Sequence, residues 1–141
     1  MYDNCLNIPP GSIFKVDLGK FKIYGRILNY GDIAIYKTGL SDIIDPVLID
    51  TAAPGNILLR VILLGDWRSS CLWEIIGNRP LEKQLQHSRY WLLRFTGDYS
   101  CTIFDDGHYY SGMPEIARKN LDFALELTLE ETIMLVYDHY L

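Results

Sequence analysis

The sequence predicts an α+β domain, in which a mainly antiparallel, curved β-sheet is joined by one short helix and a C-terminal helix. Three observations carry this prediction. The N-terminal part alternates short strand-like runs with turn residues, as in a β-meander. A helix-capping pattern precedes an amphipathic segment at the end of the chain. The composition, with 49% hydrophobic and 22% charged residues, is that of a globular protein and not of a disordered one.

The length of 141 residues suits one domain. A chain of this size buries roughly 70% of the surface that it exposes when unfolded, which is enough for a substantial core. The sequence contains no internal repeat, low-complexity tract or linker. We therefore expect a single undivided domain over residues 1–141.

The meander is the clearest local pattern. Residues 13–18 alternate imperfectly between apolar and polar positions and predict the first strand, which Gly19-Lys20 connects to the next. In residues 21–27 the apolar side chains fall on one face and Lys and Arg side chains on the other, as expected for a second strand. A turn at residues 29–32 leads to a third strand over residues 33–36.

The segment after the meander is less regular. Residues 37–56 contain turn signals at Asp45-Pro46 and at residues 53–56, and residues 47–49 are a candidate edge strand. The continuous apolar run 57–64 then predicts a strand that is covered on both faces.

The second half of the chain again alternates strands with turns. Its predicted strands are residues 72–76, 90–95, 101–104 and 109–110. Residues 96–99 form the hairpin turn between the second and third of these, and Asp105-Asp106-Gly107 forms the turn before the fourth. The polar segment 81–87 holds one helical turn.

Two helices are predicted near the end of the chain. Pro114 opens the short one, because a proline at the first helical position loses no backbone hydrogen bond. Thr128 and Glu131 form a capping box, in which each side chain accepts from the backbone N–H of the other residue. The following helix has an apolar face made of Ile133, Val136, Tyr137 and Tyr140. The other predicted core residues are Phe14, Ile27, Ile35, Leu59, Val61, Trp73 and Phe95.

The aromatic residues suit either a core or a contact with a partner. Trp73 and Trp91 lie inside strand-like runs, which favours core packing. Trp67 follows the turn residues Gly65-Asp66, so we expect it to be exposed in a loop, where it would anchor a protein interface. For Tyr109-Tyr110 both packing and stacking on a ligand stay open.

The charge of the chain is unevenly distributed. The net charge is −5, which argues against nucleic-acid binding, since that needs a basic face. From residue 101 onward, eight carboxylates stand against only Arg118 and Lys119, so this acidic tail carries −6. The tail is either an ordinary solvated face or a surface that attracts a basic partner and speeds its association.

The cysteines indicate the compartment. Cys5, Cys71 and Cys101 fit no zinc-ligand spacing and follow no secretory signal. We therefore expect a cytoplasmic protein, with Cys71 and Cys101 as small buried hydrophobic side chains. The longest apolar run contains Arg60 and is far too short to span a bilayer.

A search for catalytic chemistry finds no pattern. His87, His108 and His139 are far apart in sequence, and none stands in a recognised nucleophile motif. Asp105-Asp106 is interpreted as part of a turn and not as a metal site, because adjacent side chains of an extended backbone point apart. No glycine-rich phosphate loop occurs. The sequence thus predicts a protein that is not an enzyme and uses no cofactor or metal.

Several short motifs nevertheless stand in a distinctive order. They are Gly11 before the strand with Phe14, the strand with Tyr24-Gly25-Arg26, the strand from Trp73 to Gly77, Pro80-Leu81 after it, and Glu130-Glu131 in the last helix. In their order and spacing the chain resembles the immunity protein 26 family, small bacterial proteins that protect a cell from a polymorphic toxin. Residues 37–56 and 89–101 depart from the family pattern.

The resemblance implies that the protein binds and neutralises a cognate toxin domain. Many such toxins are nucleases with a basic cleft, which an acidic face would suit. We place the contact face on Asp105, Asp106, Glu115, Asp122 and Glu126, with Trp67 as an apolar anchor. The expected partner is a protein, with neither nucleic acid nor membrane involved. The identity of the toxin and the existence of a homodimer stay open.

Two other function classes stay open as well. A small β-rich module that binds RNA or a small ligand is suggested by the aromatic residues and by a basic stripe on the early strands. That stripe would consist of Lys15, Lys20, Lys22 and Arg26. A hydrolytic enzyme whose site is assembled from distant residues is the second alternative. Tight, salt-sensitive binding of single-stranded RNA would favour the first.

Overall fold

The residues that the structure describes form two β-sheets and two α-helices, which confirms the α+β prediction. A computed structural model describes residues 8–19, 21–37, 57–92 and 101–140. Most strand pairs are antiparallel, and two are parallel. Neither helix in these residues has both the length and the apolar character that a membrane span requires.

The first sheet has six strands in the order β10-β4-β3-β2-β1-β5. The strands are β1 (Ser12–Asp17), β2 (Lys22–Ile27), β3 (Asp32–Tyr36), β4 (Ile57–Leu63), β5 (Glu74–Asn78) and β10 (Leu125–Leu127). Strands β1 to β4 pair antiparallel in chain order, so the predicted meander is confirmed. The candidate strand at residues 47–49 lies outside the described residues.

The second sheet has four strands in the order β8-β7-β6-β9. They are β6 (Arg89–Leu92), β7 (Cys101–Asp105), β8 (His108–Gly112) and β9 (Asp122–Phe123). The predicted turn at residues 96–99 lies outside the described residues. The turn between β7 and β8 is confirmed: Asp106 and Gly107 have φ values of 46° and 92°, which match a type I′ hairpin.

Both predicted helices are present. Helix α1 (Pro114–Asn120) has its proline in the first turn, and α2 (Leu129–Tyr140) ends the described chain. Both hydrogen bonds of the predicted capping box of α2 are present. The Thr128 N–H donates to Glu131 Oε1 at 2.9 Å, and the Glu131 N–H donates to Thr128 Oγ1 at 3.2 Å. These bonds satisfy two N–H groups that a helix start otherwise leaves unpaired.

The main core lies on one face of the first sheet, where α2 packs. Six predicted core residues are buried there: Phe14, Ile27, Ile35, Val61, Trp73 and Val136. Leu59 and Ile133 pack against this core but are only half-buried. Tyr137 is exposed, contrary to the prediction, because it lies about 100° around the helix from the buried Val136; its ring meets Phe21 in a T-shaped contact at 5.8 Å. Phe95 and the Tyr140 side chain lie outside the described structure.

Two further predictions about burial are wrong. Trp67 is only 5% exposed, because a short 3₁₀ helix turns it back onto the core, where its ring meets Trp73 edge-on at 5.8 Å. Cys71 is exposed, because the strand expected from residue 72 begins only at Glu74. Cys101 is buried as predicted. The helical turn expected within residues 81–87 is a 3₁₀ helix, Lys83–Leu85.

Candidate functional site

The structure places the carboxylates proposed for one contact face on both sheets and on α1. Asp105 and Asp106 stand at the hairpin of β7 and β8. Asp122 on β9 pairs with Tyr90 of β6 and Asp105 pairs with the preceding residue, Arg89, so β6 lies between the two carboxylates. Glu126 is half-buried on an edge strand of the first sheet. The grouping of these residues into one contact face stays a prediction.

Three of these carboxylates are paired with basic side chains. Asp105 accepts from Arg89 Nε at 3.2 Å, and Asp122 lies 3.7 Å from Arg60 Nε. Asp106 Oδ2 lies 2.9 Å from His87 Nδ1. Glu115 differs: it is exposed in the first turn of α1 and forms no ion pair within the described residues. Glu115 is therefore the proposed site residue best placed to attract a basic partner.

Asp106 organises the hairpin that leads into β8. Its Oδ1 accepts from the Ser88 N–H at 2.7 Å, and its own N–H donates to the Ser88 carbonyl at 2.8 Å. The hydrogen bond from the Ser88 backbone, followed by the contact with His87, lowers the pKa of the Asp106 carboxyl. The distant residues 87, 88 and 106 thus form one local anchor, which the sequence did not reveal.

Acid should release this anchor. Because the folded state lowers the Asp106 pKa, the stabilisation is present above the ordinary aspartate pKa of about 4 and is lost as pH falls below it. Asp106→Asn should therefore destabilise the protein at pH 7 and lose less stability than the wild type between neutral pH and pH ~3. Urea unfolding at a series of pH values measures this difference. Asp66→Asn, at an exposed turn carboxylate, is the control, and an equal pH dependence in Asp106→Asn and the wild type would remove the role assigned to Asp106.

An exposed apolar surface adjoins the hairpin. We call it the edge surface and define it by Tyr109 and Tyr110 on β8 and by Met113, Glu115 and Ile116 at the start of α1. Tyr109, Tyr110, Met113 and Ile116 are all exposed large hydrophobic residues, although they fall within eight positions of the chain. Four exposed large hydrophobic residues along one strand and the helix that follows it are more informative than a single exposed apolar side chain.

The position of β8 explains why this surface is exposed. Within the described residues β8 pairs with β7 on one side only, so it is an edge strand. Its two tyrosines point to opposite faces of the sheet: Tyr109 stacks edge-on against Phe104 at 5.1 Å, and Tyr110 is the cross-strand partner of Ile103. Helix α1 buries Ala117 against Cys101 and Ile103 and leaves Ile116 outside.

Within the part of the chain that the structure describes, the outer edge of β8 lacks the usual protection of sheet edges. Natural edge strands commonly carry lysine or proline, or are covered by another element. β8 reads His-Tyr-Tyr-Ser-Gly and has neither residue. The sequence prediction had identified the strand at Tyr109-Tyr110 but not its exposure. The short helix that follows β8 was the feature that could have indicated this exposure. Ala117 is its sole buried residue.

A second feature is a cleft between β4 and β9, with a volume of about 400 Å³. Arg60, which lines the cleft, belongs to a series of polar side-chain contacts that joins the two sheets. The Tyr90 hydroxyl donates to Asp32 Oδ2 at 2.5 Å, and Arg60 Nη1 lies 3.4 Å from the same hydroxyl. Burial first, and the Asp32 carboxylate second, raise the pKa of Tyr90 far above its ordinary value, so the hydroxyl stays protonated and donates.

The basic stripe proposed for RNA binding does not form an open row. Arg26 is completely buried. Lys15 lies 3.4 Å from Glu74, and Lys22 lies 3.6 Å from Asp17. Lys20 lies outside the described residues. Apolar and basic residues do alternate along β2, but Arg26 is buried, so the basic side chains do not form an exposed row.

The motif residues of the N-terminal half instead form a structural anchor around Arg26. Arg26 Nε donates to the Gly11 carbonyl at 3.2 Å and Nη2 to the Arg79 carbonyl at 2.5 Å. Arg26 Nη1 lies 3.2 Å from Glu82 Oε2, and the Arg79 N–H donates to the Gly11 carbonyl at 3.1 Å. The segments around residues 11, 26 and 79 therefore meet because β1 pairs with both β2 and β5.

The described residues contain no group of three or more His, Cys, Asp or Glu side chains arranged to hold a metal ion. His87 and Asp106 come together, but their contact anchors the hairpin, as described above. No protein-family model matches the sequence, no curated protein is similar to it, and no solved structure matches the fold.

Proposed function

We propose that this protein is an immunity protein, which binds and neutralises a cognate bacterial toxin domain through the edge surface. It would act in the cytoplasm of the cell that makes the toxin. The observation that carries the proposal is the cluster of exposed Tyr109, Tyr110, Met113 and Ile116 beside an open strand edge. An inhibitor of this kind needs a rigid scaffold and a complementary patch and no catalytic group.

The chemistry of the edge surface suits a protein partner. Tyrosine supplies a large contact area with a polar tip and is enriched among residues that dominate binding energy. A strand of the partner can add to the open edge of β8, with its side chains meeting Tyr109 on one face and Tyr110 on the other. The edge surface thus offers both backbone and side-chain contacts.

Charge supports a basic partner. Glu115 is exposed among the apolar residues of the edge surface and forms no ion pair within the described residues. An exposed charge of this kind raises the rate of association with an oppositely charged partner more than it raises affinity. The anchor around Arg26 lies in the first sheet and holds the scaffold, whereas the proposed contact uses the exposed residues of the edge surface on the second sheet and α1.

The RNA-binding alternative receives less support, because Arg26 is buried and Lys15 and Lys22 face carboxylates. A hydrolase would need a nucleophile beside the contact of His87 with Asp106, and Ser88, which neighbours it, has a buried side chain. A protein-binding function uses the exposed residues that the structure presents and needs no further group.

The test is co-expression with the C-terminal domain of a large secreted protein encoded next to this one. We expect rescue of cell survival and a stable co-purifying complex. Met113→Lys should weaken the complex by about 2 kcal/mol, roughly 30-fold in Kd, because it places a charge in the apolar contact. Met134→Lys on α2 is the matched control, since the two methionines are 66% and 67% exposed.

The outcomes separate the function from the surface. If the neighbour is toxic and neither rescue nor a complex is found, the proposed function is wrong for that pair. If rescue occurs but Met134→Lys weakens binding as much as Met113→Lys, the function stands and the edge surface is the wrong site. Glu115→Lys should slow association and reduce its salt dependence.

A further inference from the structure

The cleft between β4 and β9 has the character of a small-molecule site. Its apolar wall consists of Ile57, Leu58, Leu59 and Phe123, and its polar groups are Arg60, Gln84 and Asp122. The volume of about 400 Å³ falls within the usual range of ligand pockets, about 300–1,000 Å³. The cleft lies at the β9 edge of the second sheet, opposite the β8 edge that carries the edge surface.

Arg60 is the informative residue of this cleft. Its side chain is only 13% exposed and its guanidinium lies over the Tyr90 ring, 5.6 Å from the ring centroid, yet its polar contacts within the described residues are long: 3.4 Å to the Tyr90 hydroxyl and 3.7 Å to Asp122. Good N–H···O hydrogen bonds measure about 2.7–3.2 Å. A guanidinium carries five N–H donors, and a buried charge is costly unless it is well paired. Arg60 therefore has donors to offer to an anionic group in the cleft.

Asp122 adds the opposite charge beside it. Its side chain is 71% exposed, and the long contact with Arg60 is of the kind that contributes little stability. A ligand with a carboxylate alone would meet repulsion from Asp122, and a phosphate would meet more. A ligand that also carries a positive group would satisfy both Arg60 and Asp122 at once.

We infer that this cleft binds an apolar α-amino acid. The ligand carboxylate accepts from the Arg60 guanidinium, and its ammonium donates to Asp122. Its apolar side chain lies against Ile57 and Phe123, which line the same cleft. This inference concerns binding alone and is independent of the proposed toxin contact, since it uses no residue of the edge surface.

The test is calorimetric titration of the purified full chain with L-leucine, L-methionine and L-phenylalanine. Saturable binding of at least one of them is expected. N-acetyl-L-leucine, which lacks the ammonium, and L-leucinamide, which lacks the carboxylate, should each bind about tenfold more weakly than L-leucine, or weaker still. No saturable binding at millimolar amino acid, or equal binding of L-leucine and both derivatives, would overturn the inference.

Variants locate the site. Asp122→Asn, at an exposed position, should weaken the binding of L-leucine about tenfold and leave the binding of N-acetyl-L-leucine unchanged. Only L-leucine carries an ammonium group that can donate to the Asp122 carboxylate. Arg60→Gln should weaken both, and Arg68→Gln, an exposed arginine against Trp67, should change neither. Equal effects of Asp122→Asn on both ligands would contradict the pairing, even if Arg60→Gln failed to fold.

Discussion

Arg26→Met should lower the free energy of unfolding by about 3 kcal/mol, because it removes the donor at the centre of a buried anchor. The guanidinium serves the Gly11 and Arg79 carbonyls and the Glu82 carboxylate. Methionine keeps the length and apolar stem of the side chain but donates nothing. The Glu82 charge and two carbonyls then lose a partner in the folded state, whereas water serves them in the unfolded state. Urea unfolding followed by tryptophan fluorescence measures the loss.

Lys22→Met is the matched control, since it makes the same kind of change on the same strand. Lys22 Nζ donates to the Gly19 carbonyl at 2.9 Å and lies 3.6 Å from the exposed Asp17, and single interactions of this kind at the surface contribute about 0–1 kcal/mol. We expect the midpoint of Lys22→Met to stay close to that of the wild type. If the two variants lose equal stability, Arg26 is not the anchor of the scaffold.

Gly11→Ala should cost about 3–4 kcal/mol, from two causes that add. Gly11 has φ +91°, where a residue with a Cβ atom is strained by about 1–2 kcal/mol. In addition, a Cβ atom there would lie 2.4 Å from the Arg79 carbonyl oxygen, so the backbone must move. The movement would disturb the hydrogen bonds that Gly11 makes with Ile27 and Arg79.

Gly31→Ala separates these causes. Gly31 has a similar φ of +78°, but a Cβ atom there would meet nothing within 4 Å. We expect this variant to lose only the strain, about 1 kcal/mol. The difference between the two unfolding free energies then measures the clash with Arg79. Equal losses would show that the clash with the Arg79 carbonyl adds nothing to the cost. The close packing of β1 against the segment after β5 would then not contribute to stability at Gly11.

These two predictions bear on the proposed function, because they concern residues that lie away from the edge surface. Variants of Gly11 and Arg26 should reduce the amount of folded protein and leave the affinity of the remaining folded molecules for a toxin unchanged. Met113→Lys should leave the amount of folded protein unchanged and weaken the proposed complex. The resemblance rests on scaffold residues, so it does not indicate a particular toxin for the proposed function.

The features that the sequence predicted correctly depend on residues close together in the chain. The meander follows from alternation within residues 13–36, and the start of α2 follows from Thr128 and Glu131, three positions apart. The hairpin turn follows from Asp106-Gly107, because few residue pairs adopt two successive positive φ values. Local geometry restricts such segments before any tertiary contact forms, so a single sequence is enough to predict them.

Burial and pairing across the molecule needed the tertiary structure. Arg26 meets Glu82 across 56 residues, and Tyr90 meets Asp32 across 58. Trp67 is buried because a turn folds it back onto Trp73, although its neighbours in sequence are polar. The exposure of Tyr109 and Tyr110 likewise depends on β8 being the last strand of its sheet. The order of the strands decides which residues face water, and that order is set by the packing of segments far apart in the chain.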